Sequence, residues 1–376
     1  MVIFQVSQVR KNKCNLNLMN NHIVSIGTAN PGNPVPQFQI GEFMKMAHGL
    51  DTQESRKLNF VYRQTGIENR FSVIEDFNFV NPEKFSFFPK NKELEPFPST
   101  KMRMGLFEKS ALTLATRAVD DCLSKTHIQA KEITHLILVS CTGMFAPGLD
   151  LEIIHALGFR NDVERYAIHF MGCYAAFNAI KLADRICDSD PGAKVLVLAI
   201  ELCTIHFQKD YTEDNLLANA IFGDGAAAAL VRRQPVGLKI KKYHSRVFKE
   251  GESDMAWSIG DFGFEMRLSK YVPDLLHKGL NEILGYLEEV FQLSKIKNFA
   301  IHPGGKQILQ KVENAFQITP EQNLHSHEIL KAFGNMSSAT ILFVLKKWLL
   351  DPESKGDILA MGFGPGLTLE TLLLEK

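Results

Sequence analysis

Three residues with complementary chemistry stand far apart in the chain: Cys173, His302 and Asn335. Cys173 lies in FMGCYAAF, between a strand-like segment and a helical segment that opens with small residues. His302 precedes Pro-Gly-Gly at the end of an apolar strand-like run, and Asn335 follows a glycine. A thiolate nucleophile, an imidazole and an amide donor together suffice for thioester chemistry, because the donors can stabilise the oxyanion that forms on attack.

Each of these residues also has an ordinary structural explanation, and the sequence leaves that alternative open. A free cysteine is most often a buried apolar residue, and an asparagine at a helix start is a common N-cap. The functional interpretation of Cys173 depends on its place at the start of a helix. Unsatisfied N–H groups and the helix dipole favour a thiolate there, so we expect the pKa of Cys173 to be lowered.

The elements that must position these residues occur twice along the chain. A buried strand, a helix opening with small residues and a second uncharged strand follow one another in residues 134–202 and again in residues 298–364. This pattern predicts an α/β protein with duplicated units, whose sheets are covered on both faces. Two such halves would present their strand ends and helix starts to one cleft. The alternative is a coincidental likeness between two generic α/β stretches.

We divide the chain into three parts on this basis. Residues 1–18 precede the first strand-like segment and are expected to be a disordered extension. Residues 19–233 are expected to form the N-terminal half, which carries the nucleophilic cysteine, and residues 234–376 the C-terminal half, which carries the histidine and the asparagine. Residues 38–64 have a helical pattern, and residues 74–100, rich in phenylalanine and proline, indicate an ordered loop.

The composition argues against several classes of protein. Lysine plus arginine and aspartate plus glutamate each total 42, so no net charge recruits nucleic acid. No apolar run approaches the roughly 20 residues of a transmembrane segment. Basic residues follow the apolar N-terminal stretch rather than precede it, so a secretory signal is not expected. The 6 cysteines form no CxxC pair, which indicates reduced thiols and a cytoplasmic location.

Several segments together resemble those of a known family. GCYAAFNAIKLA, FGDGAAAALV, HPGGKQIL, GNMSSATILFVL and GFGPGLTLETLLL closely resemble signature segments of chalcone-synthase-like type III polyketide synthases, from about residue 22 to the C-terminus. PSTKMRMGLFEKSALTLA and ELCTIHFQ look more like the bacterial branch than the plant enzymes. The resemblance implies a thiolase-like fold, in which two duplicated halves form a five-layer αβαβα core.

The same resemblance implies an activity and its substrates. Cys173 would take the acyl group of an acyl-CoA starter and hold the growing chain, while His302 and Asn335 would activate malonyl-CoA decarboxylation and stabilise the enolate. Iterative decarboxylative Claisen condensations would then be followed by cyclisation. The family needs no metal and no prosthetic group, takes coenzyme A thioesters as substrates and is homodimeric.

Residues of the substrate cavity are implied by the resemblance as well. Two of them match gatekeeping phenylalanines, the second of which is replaced by methionine, and three replace threonines of the plant enzymes with cysteine or histidine. An alanine stands near a methionine that reaches across the dimer in the plant enzymes. The residues assigned to substrate binding are Phe222, Met266, Cys141, Ala146, Glu201, Cys203, His206, Ser337 and Pro365.

These departures bear on the expected product. Glu201 and Ser337 match positions that tune cyclisation together with the residue at Cys141. A thiol is a weak hydrogen-bonding partner, so chalcone formation is not a safe expectation. The small residue Ala146 leaves room for a longer tunnel. Fatty acyl starters giving alkylpyrones or alkylresorcinols, common in the bacterial branch, are therefore expected.

Coenzyme A binding in the family uses basic side chains near the tunnel mouth. Lys57 lies at a matching position, while Phe60 and Gln64 occupy the other two. Arg56 and Arg63 are adjacent and are expected to substitute for the missing charges. The alternative is that these residues form a solvated helix face.

Other functions are less consistent with the sequence. The order Cys, His, Asn is also that of papain-like proteases, but Cys173 lies mid-chain and the duplicated halves have no place in that fold. GFGPG ends a late strand and lacks the context of a dinucleotide-binding turn. The runner-up is a ketoacyl-carrier-protein synthase III, which TGIENRF resembles and which makes a single condensation onto a carrier protein.

Overall fold

The computed structural model describes residues 20–249, 254–269 and 271–376. The predicted extension at residues 1–18 lies outside the described residues. Within them, the α-helices are α1 (Gln37–Ala47), α2 (Thr52–Gln64), α3 (Thr100–Leu123), α4 (Leu149–Leu157), α5 (Ala175–Ser189), α6 (Glu213–Ile221), α7 (Val272–Phe291), α8 (Lys306–Phe316), α9 (Leu324–Phe333) and α10 (Thr340–Leu350). The strands are β1 (Asn21–Ala29), β2 (Val35–Pro36), β3 (Asn69–Arg70), β4 (His135–Ser140), β5 (Glu164–His169), β6 (Lys194–Leu202), β7 (Asp224–Arg233), β8 (Leu238–Val247), β9 (Met255–Gly260), β10 (Gly263–Leu268), β11 (Asn298–Ile301), β12 (Asp357–Gly364) and β13 (Thr368–Glu375).

The large sheet repeats one strand arrangement in its two halves. In the first half, β1 and β6 each pair antiparallel with β7, and β6 pairs parallel with β4. In the second half, β8 and β12 each pair antiparallel with β13, and β12 pairs parallel with β11. β1 and β8 pair with each other and join the halves into a 9-stranded sheet, with β5 added at one edge. The duplication expected from the sequence is therefore present in the topology; the domain boundary at residues 233/234 stays a prediction.

Helices cover the sheet on both sides, and two of them pack against strands of both halves. α5 and α10 share one apolar cluster with strands of both halves, and α10 is apolar on nearly every side, as a helix enclosed by protein must be. α3 packs on β1 and β7, while α7 and α8 pack together in a third cluster with β11 to β13. The α/β prediction is confirmed. Among the described residues, no helix has both the length and the apolar character needed to cross a membrane.

The helical segment predicted at residues 38–64 is two helices rather than one. α1 ends at Ala47, Gly49 takes a left-handed conformation with φ of +60°, and α2 begins at Thr52. Asp51 caps the second helix by accepting hydrogen bonds from two backbone N–H groups, and Glu54 bonds back to the N–H of Asp51. The break turns α2 toward the mouth of the cavity described below.

Candidate active site

The repeated topology brings Cys173, His302 and Asn335 to one cavity of about 530 Å³. His302 directly follows β11, and its backbone N–H donates to the carbonyl of Met361 in β12 at 2.7 Å. Cys173 lies in a short 3₁₀ turn before α5, and Asn335 lies just before the equivalent turn that precedes α10. The sequence placed Cys173 and Asn335 at helix starts, and the structure puts both in the segments that lead into those helices.

The Cys173 sulfur faces the ends of two polar side chains. Its Sγ lies 3.9 Å from Asn335 Nδ2 and 3.8 Å from Ser337 Oγ. The preceding residue must be glycine, because Gly172 has φ of +76° and a Cβ there would lie 2.2 Å from Cδ of Pro365. Pro365 therefore sets how closely the turn carrying the sulfur packs against the end of β12.

The amide of Asn335 is oriented by its own backbone neighbourhood. Its Oδ1 accepts the N–H of Ser337 at 2.8 Å, so its Nδ2 is the atom left to face the cavity. Nδ2 lies 3.4 Å from the carbonyl of Gly304, which leaves a second N–H for a ligand. Asn335 is thus held as a hydrogen-bond donor beside the cysteine.

His302 is the least satisfied polar side chain of the site. Only 1% of its surface is exposed, and neither ring nitrogen has a hydrogen-bond partner among the residues described. Burial lowers the pKa of His302 to about 3, so its ring is neutral near pH 7. A neutral imidazole with both nitrogens unused can accept one proton and donate another to a bound ligand.

The expected lowering of the Cys173 pKa is wrong. Burial raises the pKa of the Cys173 thiol to about 11, and its contacts with Ser337 and Asn335 offset this only in part. The residue lies in a 3₁₀ turn before α5, not in the first turn of the α-helix, so burial outweighs the helix dipole. Cysteine and histidine are both neutral near pH 7, and a base must take the thiol proton as the sulfur attacks.

We expect His302→Gln to slow alkylation of Cys173 by iodoacetamide most strongly near pH 7. The thiol, with a pKa of about 11, is not ionised there and needs a base. As pH rises toward that value the thiolate fraction grows about tenfold per pH unit, and the two rates should converge. Intact-protein mass spectrometry gives the rates, with Cys173→Ala as background. Equal rates at pH 7 would exclude His302 as the acceptor of this proton.

Most of the predicted wall residues do line the cavity. They are Phe222, Met266, Cys141, Cys203, Ser337 and Pro365. Ala146 does not: it is exposed in the loop between β4 and α4, outside the cavity of its own chain. The sequence reading missed Trp257, whose indole N–H donates to the carbonyl of Cys141 at 2.7 Å and whose ring forms part of the wall. The signal available in the sequence was a tryptophan within the short segment that forms the β9–β10 hairpin.

His206 lines a smaller side chamber instead of the main cavity. Its Nε2 donates to the carbonyl of Thr142 at 2.7 Å, and its Nδ1 accepts the N–H of Phe264 at 2.9 Å. The ring stacks on that of Phe264 with 4.2 Å between centroids, and burial lowers the pKa of His206 to about 3. His206 is therefore neutral, and its two hydrogen bonds connect the β9–β10 hairpin to the segment that contains Thr142. Cys203, Phe222, Trp257 and Met266 border both spaces.

Glu201 lies behind the wall in a closed set of hydrogen bonds. Its carboxyl accepts from the backbone N–H of Cys141 at 3.0 Å and from Thr142 Oγ1 at 2.8 Å, and it also accepts from Ser338 Oγ. Burial raises the pKa of Glu201 to about 7. The serine bonded to Glu201 is Ser338, whereas Ser337 faces Cys173. The Cys141 thiol takes no part in this set and instead accepts the N–H of Gly172.

The mouth of the cavity carries two lysines from different elements. Lys57 of α2 lines it as predicted, together with Phe60 and Gln64. Arg56 and Arg63 are exposed on α2 and are not among the residues that line the cavity. Lys306, at the start of α8, lines the opposite side and was missed by the sequence reading. Its position directly after His302-Pro-Gly-Gly was the signal available.

The described residues contain no group of histidine, cysteine, aspartate and glutamate side chains arranged to hold a metal ion. The cysteines among them, which are Cys122, Cys141, Cys173, Cys187 and Cys203, are unpaired thiols.

Two family models match the chain. The model for the N-terminal domain of chalcone and stilbene synthases matches residues 6–235, and the model for their C-terminal domain matches residues 240–376. The alpha-pyrone synthesis polyketide synthase-like Pks18 of Mycobacterium tuberculosis is 29% identical over 339 residues, which are 87% of this chain and 84% of that protein. Probable polyketide synthase 1 of Dictyostelium discoideum is 27% identical over 95% of this chain, which spans only 11% of that protein.

Solved structures agree with these matches. The C-terminal type III polyketide synthase domain of Steely1, a type I/III hybrid from Dictyostelium, has a TM-score of 0.87 at 26% identity, covering 95% of this chain and 99% of that one. PKS-I of the brown alga Ectocarpus siliculosus has a TM-score of 0.87 at 26% identity, covering 95% and 98%. Both support the thiolase-like fold expected from the sequence. The chain therefore belongs to the chalcone and stilbene synthase family: it is a type III polyketide synthase and hence an acyltransferase.

Proposed function

We propose that this polyketide synthase loads an acyl group from coenzyme A onto Cys173 and extends it with malonyl-CoA at His302 and Asn335, before cyclising the product. The observation that carries the proposal is the meeting of the three side chains at one cavity, where the imidazole has no partner among the described residues and an amide nitrogen lies 3.9 Å from the thiol sulfur. A cavity of about 530 Å³ also leaves room for a chain longer than a single acetyl unit.

The loading step follows from the neutral state of the two groups. His302 takes the proton of the Cys173 thiol while the sulfur attacks the thioester carbonyl of the starter, because a separate transfer between groups with these pKa values would be strongly uphill. The bond between carbonyl carbon and coenzyme A sulfur then breaks, and the proton on His302 goes to the departing thiolate. The acyl group is left on Cys173 and the imidazole is neutral again.

Extension uses the same imidazole and the amide. Malonyl-CoA binds with its thioester carbonyl near His302 and the Nδ2 of Asn335, both of which stabilise the enolate oxygen when the carboxylate leaves as CO₂. The enolate carbon attacks the acyl group on Cys173, so a carbon–carbon bond forms and the carbon–sulfur bond breaks. The product is a β-ketoacyl-CoA two carbons longer, and Cys173 is free to accept it for another round.

Coenzyme A would lie at the mouth, with its phosphates near Lys57 and Lys306. We expect Lys57→Ala to raise KM for malonyl-CoA about tenfold with a small change in kcat, because a charged hydrogen bond is lost far from the reacting atoms. Steady-state kinetics with Lys131→Ala, an exposed lysine remote from the cavity wall, provides the control. Arg56→Ala and Arg63→Ala test whether these side chains contribute at all; an unchanged KM in Lys57→Ala would move the phosphates elsewhere.

The starter proposed is a long acyl chain, and the product an alkylpyrone or alkylresorcinol. The main cavity of about 530 Å³ supports this, whereas the side chamber that shares Cys203 and Trp257 with it holds only about 40 Å³ and adds little room. The relative Pks18 carries alpha-pyrone synthesis in its name. The Glu201 carboxyl accepts hydrogen bonds from Thr142 and Ser338, and the Cys141 thiol stays outside this network. This arrangement gives no support to chalcone formation.

The test is a product profile by mass spectrometry of purified protein with malonyl-CoA and acetyl, aromatic and long-chain acyl starters, each supplied as its coenzyme A ester and as its carrier-protein thioester. Starter-dependent triketides and tetraketides are expected, with long chains extended best. Extension of aromatic starters alone would overturn the starter assignment. Extension only from carrier-protein thioesters, and by one unit, would instead identify a ketoacyl synthase III-like enzyme.

A homodimer is proposed as the working form. β5 ends the large sheet, and residues 164–167 of this strand are exposed in the single chain, as an edge that pairs or packs against a second copy would be. Ala146 is exposed in the loop that follows the neighbouring strand. Light scattering coupled to size-exclusion chromatography measures the molar mass of the protein in solution, and the mass of a monomer would refute the proposal. The unpaired thiols of the described part are in keeping with the proposed cytoplasmic location.

A further inference from the structure

Arg70 is a charged residue buried next to the site but outside the proposed chemistry. It ends β3, and only 3% of its surface is exposed. Burial lowers the pKa of its guanidinium, and Nη2 is buried with no hydrogen-bond partner in the described part of the chain. Burying a cation is costly, and the attraction of the nearby Asp224 carboxyl offsets this cost only in part, since the pKa of the guanidinium is still lowered.

The guanidinium binds neutral oxygens of two helices. Its Nε donates to Gln37 Oε1 of α1 at 2.8 Å, and its Nη1 donates to the carbonyls of Asn219 at 2.8 Å and Phe222 at 2.7 Å. These two carbonyls lie at the C-terminal end of α6, where helix carbonyls lack partners and the dipole favours a cation. A planar fork reaches all three acceptors at once, which a lysine amine does not.

The backbone that Arg70 holds is the backbone on which Asn335 rests. Phe222 and Asn335 form an isolated parallel bridge: the N–H of Asn335 donates to Ile221 at 2.8 Å, and the N–H of Gly223 donates to Asn335 at 2.9 Å. Gly334 lies directly on the arginine, since a Cβ there would be 3.0 Å from Cγ of Arg70. One layer of backbone thus separates the guanidinium from the amide-bearing residue.

We propose that Arg70 is a positioning residue: by holding the carbonyl of Phe222, it keeps the Asn335 amide where it meets the malonyl thioester. This inference rests on the proposed role of Asn335 in decarboxylation. Arg70 acts through the backbone and not on the malonyl group itself. A displacement of about 1 Å costs on the order of 10²-fold in a step that depends on exact placement. Loading of Cys173 relies on the thiol and His302 and would change far less.

The test compares two rates in Arg70→Lys and the wild type. Malonyl-CoA decarboxylation is followed by the release of CO₂ and acetyl-CoA, and loading of Cys173 from hexanoyl-CoA by intact-protein mass spectrometry. We expect decarboxylation to fall about 10- to 100-fold, with loading within about twofold of the wild type. In an Asn335→Ala background, Arg70→Lys should cause little further loss, because the amide it positions is already absent.

Arg103→Lys is a matched control. Arg103 is also fully buried, also donates to backbone carbonyls, which are those of Pro98, Ile205 and Phe207, and also has an unpartnered Nη2 among the described residues. It does not contact the Phe222–Asn335 bridge, so this substitution should lower thermal stability without changing the ratio of the two rates. Should Arg70→Lys fail to fold, Gln37→Ala removes the acceptor of Nε and should lower decarboxylation severalfold, again with loading preserved.

The outcomes separate this inference from the proposed function. A wild-type protein that neither loads Cys173 nor decarboxylates malonyl-CoA would refute the proposed function. An active wild type with an unchanged decarboxylation rate in Arg70→Lys would refute the positioning role. Equal losses in loading and decarboxylation, or an undiminished effect in the Asn335→Ala background, would show that Arg70 supports the fold in general and would also refute it.

Discussion

Cys173→Ala should abolish loading of the starter and formation of every extended product, while leaving malonyl-CoA decarboxylation within about threefold of the wild type. The sulfur is the only atom of this residue that the proposed chemistry uses, and removal of a covalent nucleophile typically lowers turnover by several orders of magnitude. Decarboxylation depends on His302 and on the Nδ2 of Asn335, and neither group is held in place by a strong bond to the sulfur. The substitution should therefore abolish starter loading while malonyl-CoA decarboxylation continues.

Intact-protein mass spectrometry after incubation with hexanoyl-CoA measures loading, and acetyl-CoA release from malonyl-CoA measures decarboxylation. Cys203→Ala is the matched control, because this thiol borders the same cavity but makes no contact with Asn335 or Ser337 in the described structure. It should still be acylated at Cys173. Acylation that persists in Cys173→Ala would mean that a second thiol, Cys141 or Cys203, is the nucleophile.

The part of the site that was predictable from sequence is the part set by the duplication. Cys173, His302 and Asn335 each end or begin a repeated element, and the two halves pair their strands in the same order and direction. Equivalent elements of the two halves then end close together. Topology alone therefore predicts that Cys173 meets His302 and Asn335, although they lie more than a hundred positions away in the chain, and side-chain packing need not be known. Their roles in catalysis remain predictions, since the structure fixes their places and not their activity.

The features that the sequence did not predict depend on burial and on tertiary contacts. Trp257 reaches the cavity only because the β9–β10 hairpin folds over Cys141, and nothing in the local sequence shows which wall a hairpin will cover. The direction of the Cys173 pKa shift was missed because helix position is visible in a sequence, whereas the extent of burial is not. Local signals were also overlooked: Gly49 followed by Asp51 and Glu54 is a helix stop and a capping box.

Asn335→Asp should lower malonyl-CoA decarboxylation by about 10³-fold while Cys173 is still loaded. Removal of one oxyanion donor typically costs about 10²- to 10³-fold, and this change adds a negative oxygen in place of the donor. The geometry makes the substitution specific: one side-chain oxygen would still accept the N–H of Ser337, as Oδ1 does at 2.8 Å, so the other would take the place of Nδ2 and face the enolate. Like charges at that distance repel.

The pH dependence of this variant separates repulsion from misfolding. Position 335 has only 2% of its surface exposed, so burial should raise the pKa of an introduced carboxyl above its ordinary value. Below that pKa the carboxyl carries a proton and can donate to the enolate oxygen, so decarboxylation by Asn335→Asp should recover in part as pH falls from 8 toward 5. Ser337→Ala, which removes a hydroxyl but keeps the N–H that orients the amide, should lose little decarboxylation at any pH. A rate for Asn335→Asp equal to that of the wild type would leave His302 as the sole stabiliser of the enolate, because no donor from Asn335 would then be required.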